Sequence, residues 1–251
     1  MGAREGPTVP DGRYDAWLFD LDGVITATAS IHARAWKEMF DDYLHQRAQR
    51  SGAPFVEFDT DLDYRVHVDG KPRIDGVRDF LASRGIELPE GSAEDPPERE
   101  TVNGLGNRKN TLVREAIERG EVQVFPSSVD FVRRLRERGM KTAVVSSSKN
   151  CQAILRAGGI ENLFDTRIDG AVAAELGLPG KPAPDTFLAA AERLGVPRER
   201  SVVVEDAAAG VQAGRAGPFG LVVGVARTGN DAELLDEGAD LVVHDLGDLL
   251  G

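Results

Sequence analysis

The chain is poor in cysteine and in positive charge. Its 251 residues include a single cysteine, Cys151, so an internal disulfide is excluded, and this usage is typical of proteins in a reducing compartment. With 42 Asp and Glu against 30 Lys and Arg, the formal net charge is −12, which gives no overall attraction to nucleic acid or to an anionic membrane. An anionic substrate therefore requires a local cluster of basic side chains.

Long hydrophobic runs are also missing. Residues 1–13 lack the apolar stretch of a secretory signal, and no later stretch is long enough to cross a bilayer. We expect a cytoplasmic, monomeric protein that binds neither nucleic acid nor membrane. What is present, 41% hydrophobic and 29% charged residues, is typical of a globular fold, and the length suits one large domain or a core with a smaller insert.

The most informative stretch is residues 17–26, which have the sequence WLFDLDGVIT. Its first three residues are apolar, as in a buried strand of a parallel sheet, and Asp20 then falls at the sheet edge where ligands bind in α/β folds. Because side chains alternate along an extended chain, Asp20 and Asp22 can face one small space. Two carboxylates this close repel each other unless a cation lies between them or one holds a proton. An ordinary polar turn after a strand is the alternative.

The pattern of strands and helices predicts an α/β fold with a Rossmann-like parallel sheet and an inserted α-helical cap domain. One apolar strand precedes Asp20, and the other predicted strands follow much later, at residues 142–145, 202–204, 221–225 and 241–243. The segment between them has helical spacing. We therefore assign residues 1–28 and 126–251 to the core and residues 29–125 to the cap, with hinges near residues 26–30 and 125–126.

Three basic side chains stand out in the predicted cap. His32 lies one helical turn before Trp36 and just after the acidic turn, while Arg73 and Lys109 are assigned to turns. A structural histidine and solvated surface charges are the alternatives for these three. The acidic, proline-containing residues 90–100 predict an exposed loop, and the two glycines that follow it, within residues 104–110, are weak evidence for a phosphate-binding loop.

Four polar sets are predicted at the carboxyl ends of core strands or in the adjoining loops. They are Asp20 with Asp22, Ser146, Lys181, and Glu205 with Asp206. Each set taken singly has a simpler explanation: a helix cap for the serine, a surface position for the lysine, and favourable acids at a helix N-terminus for the last pair. Their order and spacing together favour one site.

This order resembles the haloacid dehalogenase superfamily, and in particular its β-phosphoglucomutase-like branch. The superfamily resemblance is carried by the Asp20 motif, by Ser146 after its strand, by the sequence GKPAPD around Lys181 and by Glu205 with Asp206. The sequences HARAW from His32, NRKN around Lys109 and SSSKN from Ser146 are similar to the branch. The chain departs from the branch pattern at Ala27, Asp69 and Ala207.

The resemblance implies a phosphotransferase that works through an aspartyl-phosphate. It makes Asp20 the nucleophile, Asp22 the general acid and base, and Ser146 and Lys181 the groups that bind the phosphoryl oxygens. It also implies a Mg²⁺ ion held by the Asp20 carboxylate, the Asp22 backbone carbonyl and Asp206, with Glu205 in the outer part of the site.

The resemblance further implies a small phosphorylated sugar as substrate. The second phosphate of a sugar bisphosphate is assigned to Arg73, Ser148, Lys149 and Asn150, and the sugar to His32 and Lys109. The expected reaction is isomerisation of β-D-glucose 1-phosphate to glucose 6-phosphate. A sugar-phosphate phosphatase is the alternative enzyme, and a phospho-accepting signalling domain is the alternative of another class.

Overall fold

The computed structural model describes residues 12–52 and 54–250, and residues 1–11 of the predicted core segment lie outside this range. The chain divides into two compact units. One contains the described residues up to Ala27 and from Gln123 onward, and the other runs from Thr28 to Val122. The predicted boundaries, after residues 28 and 125, lie slightly later in the chain.

The first unit is built on a parallel six-stranded sheet with strand order β3-β2-β1-β4-β5-β6. The strands are β1 (Ala16–Phe19), β2 (Lys141–Val145), β3 (Thr166–Ile168), β4 (Ser201–Glu205), β5 (Leu221–Val225) and β6 (Leu241–Val243). All four residues of β1 are buried, as expected for a central strand covered on both faces. The α/β parallel sheet predicted from the sequence is confirmed, although the short strand β3 was not predicted.

Nine α-helices lie in the described part of the chain. They are α1 (Ala29–Ser51), α2 (Arg73–Ser83), α3 (Val102–Glu118), α4 (Pro126–Glu137), α5 (Cys151–Ala157), α6 (Gly170–Leu176), α7 (Asp185–Leu194), α8 (Ala208–Ala216) and α9 (Asp231–Asp236). Among the described residues, no helix combines the length and the apolar character that a membrane span requires.

The chain leaves and re-enters the first unit through two paired segments. Thr26 and Val124 form an antiparallel bridge. The Ala27 amide donates to the Gln123 carbonyl, and the Phe125 amide donates to the Ile25 carbonyl, each at 2.9 Å. Since these bonds join the two ends of the insertion, the segment that follows Asp22 is held in place by the segment that precedes α4.

The second unit packs helices α1, α2 and α3 around an aromatic core. The Phe40 ring lies 4.0 Å from the Phe80 ring and 5.3 Å from the Phe58 ring, measured between centroids, and it stacks on Trp36. The acidic residues 90–100 form neither helix nor strand, as predicted. The prediction that this loop is exposed is wrong at Asp95, which is 4% exposed.

Candidate active site

The carboxyl edge of the sheet brings together the polar side chains that the sequence predicts there. Asp20 follows β1, Ser146 follows β2, and Glu205 ends β4. Because β1 lies between β2 and β4, these three positions are neighbours at one edge. Lys181, in the segment before α7, reaches the same place.

The Lys181 ammonium is the centre of this cluster. Its Nζ atom donates to Asp20 Oδ1 at 2.5 Å, to Glu205 Oε1 at 2.6 Å and to the Val145 carbonyl at 3.0 Å. An ammonium has three hydrogens, so all of its donors are used. The side chain also lies 4.9 Å from the Phe187 ring centroid. At 2% exposure, Lys181 is not a surface residue, and that alternative is wrong.

Burial sets the ionisation of this cluster. Burial raises the pKa of Asp20 to about 6, against the attraction of Lys181 and with the nearby Asp22 charge adding to the rise. Burial likewise raises the pKa of Glu205 to about 7, against the attraction of Lys181. Burial alone would lower the pKa of Lys181, but the charges of Asp20 and Glu205 raise it above its usual range. One ammonium thus faces two carboxylates, and the ionised cluster carries excess negative charge.

The excess charge matches the requirements of a hard cation. Asp20, Glu205 and Asp206 each offer a carboxylate oxygen, and these oxygens all lie within 4.8 Å of one another. Oxygen ligands of this kind suit Mg²⁺. The donor set therefore fits the ion that the sequence resemblance implies. Asp22 is not one of the three carboxylates, and the sequence had assigned only its backbone carbonyl to the metal.

Two glycines leave room for the acidic pair. Gly23 has a φ of +93°, and a Cβ atom there would overlap the Asp206 carboxylate. A Cβ atom at Gly210, in α8, would overlap the Glu205 carboxylate. Both positions therefore need glycine for the acids to keep their places.

Asp22 and Ser146 are joined by a hydrogen bond. The Ser146 hydroxyl donates to Asp22 Oδ2 at 3.4 Å, and the Asp22 amide donates to the Asp20 carboxylate. The N-cap position of α5 is occupied by Asn150, so the alternative that Ser146 is a helix cap is wrong. The half-buried Asp22 is positioned by both neighbours.

Serine hydroxyls accept backbone hydrogen bonds in the segment after Ser146. The Ser148 amide donates to the Ser146 hydroxyl, and the Asn150 amide donates to the Ser148 hydroxyl, each at 3.1 Å. Lys149 is exposed. Gly170, at the start of α6, allows this segment to approach, since a Cβ atom there would come within 2.6 Å of the Ser147 carbonyl oxygen. The predicted core residues for a second phosphate therefore lie on one turn beside Ser146.

Arg227 is a site neighbour that the sequence did not indicate. Its Nε donates to the Gly23 carbonyl at 3.1 Å, its Nη2 to the Ser128 hydroxyl at 2.8 Å and its Nη1 to Asp245 at 2.5 Å. The guanidinium lies 3.7 Å from the centroid of the Phe125 ring. Arg227 thus holds the backbone that follows Asp22. An arginine in a turn after a strand carries no local signal for such a role.

The second unit contains His32, Arg73 and Lys109. Lys109 lies inside α3 and is 4% exposed, and Arg73 is the first residue of α2, so the assignment of both to turns is wrong. Residues 104–110 are helical, which removes the phosphate-binding loop that the two glycines weakly suggested. Surface charge is therefore not the explanation for Lys109.

The half-buried His32 and the buried Lys109 form a pair. The Lys109 Nζ lies 2.7 Å from His32 Nδ1 and 4.6 Å from the centroid of the Trp36 ring. An ammonium can only donate, so Nδ1 accepts and the imidazole proton resides on Nε2. Burial, together with the Lys109 charge, holds the pKa of His32 well below its usual range. The pair therefore combines a cation with a neutral imidazole that offers an N–H donor.

Arg73 has no carboxylate partner among the described residues. Its one side-chain hydrogen bond there runs from Nη2 to Asn107 Oδ1 at 3.2 Å, and its Nε atom is buried without a partner. Burial lowers the pKa of this guanidinium, and no acid opposes the effect. By contrast, the neighbouring Arg78 pairs with Asp75 and Glu90. In an acidic chain, this leaves Arg73 available to an anion.

Comparison with known proteins defines the class of the protein. A model of the haloacid dehalogenase-like hydrolases matches residues 14–217, and the chain belongs to this family. It is 51% identical over 238 residues to a Mycobacterium bovis protein named Beta-phosphoglucomutase, with 94% of this chain and 91% of that protein covered. A Bacillus subtilis protein of the same name is 34% identical, with coverages of 93% and 91%.

A solved structure agrees with these relatives. The crystal structure of a beta-phosphoglucomutase from Clostridium difficile superposes with a TM-score of 0.74 at 26% identity. The match covers 94% of this chain and 93% of that chain. The chain therefore shares its fold with that beta-phosphoglucomutase.

The packing of Gly210 against Glu205 predicts a stability change of unusual sign. Alanine for glycine inside a helix ordinarily stabilises by about 0.5–1 kcal/mol, whereas Gly210→Ala should destabilise by about 1–3 kcal/mol because the new methyl group overlaps the carboxylate. Chemical denaturation measures the effect. In a Glu205→Asp background, which shortens the side chain, the cost should shrink.

The matched control is Gly214→Ala in the same helix. A Cβ atom there would meet only methyl groups, Val222 Cγ2 at 3.0 Å and Val203 Cγ1 at 3.1 Å. The change in unfolding free energy caused by Gly214→Ala should be the same in the unmodified protein and in the Glu205→Asp background. A Gly210→Ala protein as stable as the unmodified one would contradict the packing described here.

The His32–Lys109 contact predicts the ionisation of the imidazole. Between pH 8 and 5.5, His32 should stay neutral with its proton on Nε2, as read from long-range ¹H–¹⁵N correlation spectra, with His32→Gln identifying the signal. Below the usual histidine pKa of about 6.5 the unfolded chain takes up a proton that folded His32 does not, so stability is lost as the pH falls. Titration of the folded signal near that value, or a proton on Nδ1, would contradict this assignment.

Proposed function

We propose that this protein is a phosphomutase that interconverts β-D-glucose 1-phosphate and glucose 6-phosphate. The observation that carries this assignment is the 51% identity, over nearly the whole chain, to a protein named Beta-phosphoglucomutase. The cluster around Lys181 supplies the chemistry that such a reaction needs. Because the relatives reported above are named as enzymes, they do not support the alternative of a phospho-accepting signalling domain.

In this reaction the Asp20 carboxylate is the nucleophile. It attacks the C1 phosphorus of a sugar bisphosphate, the bond from phosphorus to the sugar oxygen breaks with release of glucose 6-phosphate, and an aspartyl-phosphate forms. Attack of one anion on another requires positive charge placed beforehand, and the Lys181 ammonium beside Asp20 supplies it. Ser146 adds a hydroxyl donor to the phosphoryl oxygens.

Asp22 moves the protons. As general acid it protonates the sugar oxygen that leaves, and as general base it takes the proton from the sugar hydroxyl that attacks the aspartyl-phosphate. That second attack breaks the bond between phosphorus and Asp20 and restores the carboxylate. The attacking group is the 6-hydroxyl of β-D-glucose 1-phosphate, so this step forms the sugar bisphosphate. Transfer of its C1 phosphoryl group to Asp20 then releases glucose 6-phosphate and regenerates the aspartyl-phosphate.

Mg²⁺ would be held by the carboxylates of Asp20 and Asp206 and by the Asp22 backbone carbonyl, with Glu205 in the outer part of the site. When bound, it would neutralise charge on the transferring phosphoryl group. Glu205 also acts through Lys181, whose ammonium it holds beside Asp20. The same carboxylate thus serves the cation site and the lysine.

A mutase must also hold the phosphate that is not being transferred. We assign this task to Arg73 in the inserted unit and to Ser148, Lys149 and Asn150 in the core, with His32 and Lys109 binding the sugar. The support for Arg73 is its lack of a carboxylate partner among the described residues. A phosphatase would transfer the phosphoryl group to water and would not need a second phosphate subsite.

Product identity tests the proposal. With β-D-glucose 1-phosphate, Mg²⁺ and a trace of glucose 1,6-bisphosphate, glucose 6-phosphate should form, detected through a coupled dehydrogenase. Arg73→Met should raise the KM for the sugar phosphate by about tenfold or more, since a hydrogen bond to a charged group is worth about 1.5–3 kcal/mol. Arg78→Met, which removes an arginine already paired with acids, is the control and should leave KM unchanged. Release of inorganic phosphate without glucose 6-phosphate would show a phosphatase instead.

Removal of the metal gives an independent test. Chelation with EDTA should abolish turnover, and Mg²⁺ should restore it, because the ionised cluster carries more negative than positive charge. Asp206→Ala should raise the Mg²⁺ concentration needed for half-maximal rate by about tenfold or more, the loss expected for one charged ligand contact. Full activity in excess EDTA would rule out the metal assignment.

A further inference from the structure

The acidic loop, residues 90–100, is fixed to the start of α3. The buried Asp95 carboxylate accepts hydrogen bonds from the Thr101 hydroxyl at 2.6 Å and from Arg99 at 2.7 Å. The Thr101 hydroxyl in turn accepts from the Gly104 amide at 2.9 Å and so caps the helix. The end of the loop and the first turn of α3 are therefore one hydrogen-bonded structure.

Asn107 connects this loop to Arg73. Its Nδ2 atom donates to the carbonyl oxygens of Ala93 and Asp95, both at 2.9 Å. An amide nitrogen has two hydrogens, so both are used, and the orientation of the amide is determined. Its oxygen must then point the other way, where it accepts from Arg73 Nη2 at 3.2 Å.

Among the described residues, Asn107 is the one side-chain acceptor for the Arg73 guanidinium. No other described side chain accepts a hydrogen bond from the guanidinium, and no acid pairs with it. Gly106 permits the close approach of α2 and α3, since a Cβ atom there would lie 2.7 Å from Ile74 Cδ1 and 3.5 Å from Arg73 Nε. The direction of the guanidinium thus depends on one amide oxygen.

We propose that Asn107 is a positioning residue that, held by the acidic loop, orients the Arg73 guanidinium for the phosphate that is not transferred. This inference rests on the proposed function of Arg73. The neutral amide is suited to the task, because a carboxylate at this position would pair with the arginine and compete with the phosphate. Through Asn107 the acidic loop affects substrate affinity, although none of its carboxylates pairs with Arg73.

The chain offers a matched control in Asn103, one helical turn before Asn107. Its Nδ2 donates to the Glu90 carbonyl at 2.9 Å, so it also anchors the loop, but it accepts no hydrogen bond from Arg73. Asn103→Ala therefore weakens the loop anchorage alone. Asn107→Ala weakens the anchorage and removes the acceptor for Arg73.

Steady-state kinetics on the full chain separate the two effects. Asn107→Ala should raise the KM for β-D-glucose 1-phosphate about tenfold while kcat changes by less than about twofold, the pattern of lost binding that is equal in ground and transition states. Asn103→Ala should leave both constants within about twofold of the unmodified protein. When Arg73 is already replaced by Met, Asn107→Ala and Asn103→Ala should raise KM by the same factor, because Asn107 then has no guanidinium to orient.

Equal KM values for the two asparagine variants, or an Asn107→Ala effect that persists in full without Arg73, would overturn the inference. A second measurement does not depend on turnover. Phenylglyoxal labelling of Arg73, mapped by mass spectrometry, should be severalfold faster in Asn107→Ala than in Asn103→Ala. If the unmodified protein forms no glucose 6-phosphate, the proposed function fails, while unchanged labelling of Arg73 would reject the positioning role by itself.

Discussion

The structure of the candidate site depends on one buried ammonium between two carboxylates. Lys181 joins Asp20 at the end of β1 to Glu205 at the end of β4, and it also binds the Val145 carbonyl at the end of β2. Removing one partner of such a buried pair typically costs about 3–5 kcal/mol, because the other charge is left without compensation. One side chain thus joins the carboxyl ends of three neighbouring strands and holds one oxygen of Asp20.

The two units handle charge in opposite ways. In the core, carboxylates outnumber the lysine that they surround, so the ionised cluster carries excess negative charge. In the inserted unit, Arg73 donates to the neutral amide of Asn107, and no carboxylate among the described residues pairs with it. A basic group without an acid partner can bind an anion without first giving up an ion pair. An acidic chain can in this way carry local sites for a phosphorylated substrate.

The sequence was sufficient to predict the parallel sheet and its polar edge because short apolar runs and the polar residues that end them are local signals. Strand β3 was missed because its sequence, TRI, contains one apolar residue, whereas the equally short β6, LVV, is apolar throughout. Lys109 was assigned to a turn because two nearby glycines suggested a break, whereas the Thr101 cap starts a helix there. The contacts of Arg227 and of Asn107 join parts of the chain that are distant in sequence, so only the fold could show them.

The central claim is that Asp20 carries the phosphoryl group, and trapping the intermediate tests it most directly. The enzyme would be mixed with Mg²⁺ and glucose 1,6-bisphosphate, quenched in acid and reduced with tritiated borohydride, which converts an aspartyl-phosphate into labelled homoserine. Peptide mapping should place the label at position 20, and an Asp20→Asn protein should give none. Label at another carboxylate, or turnover without any labelled peptide, would contradict the account.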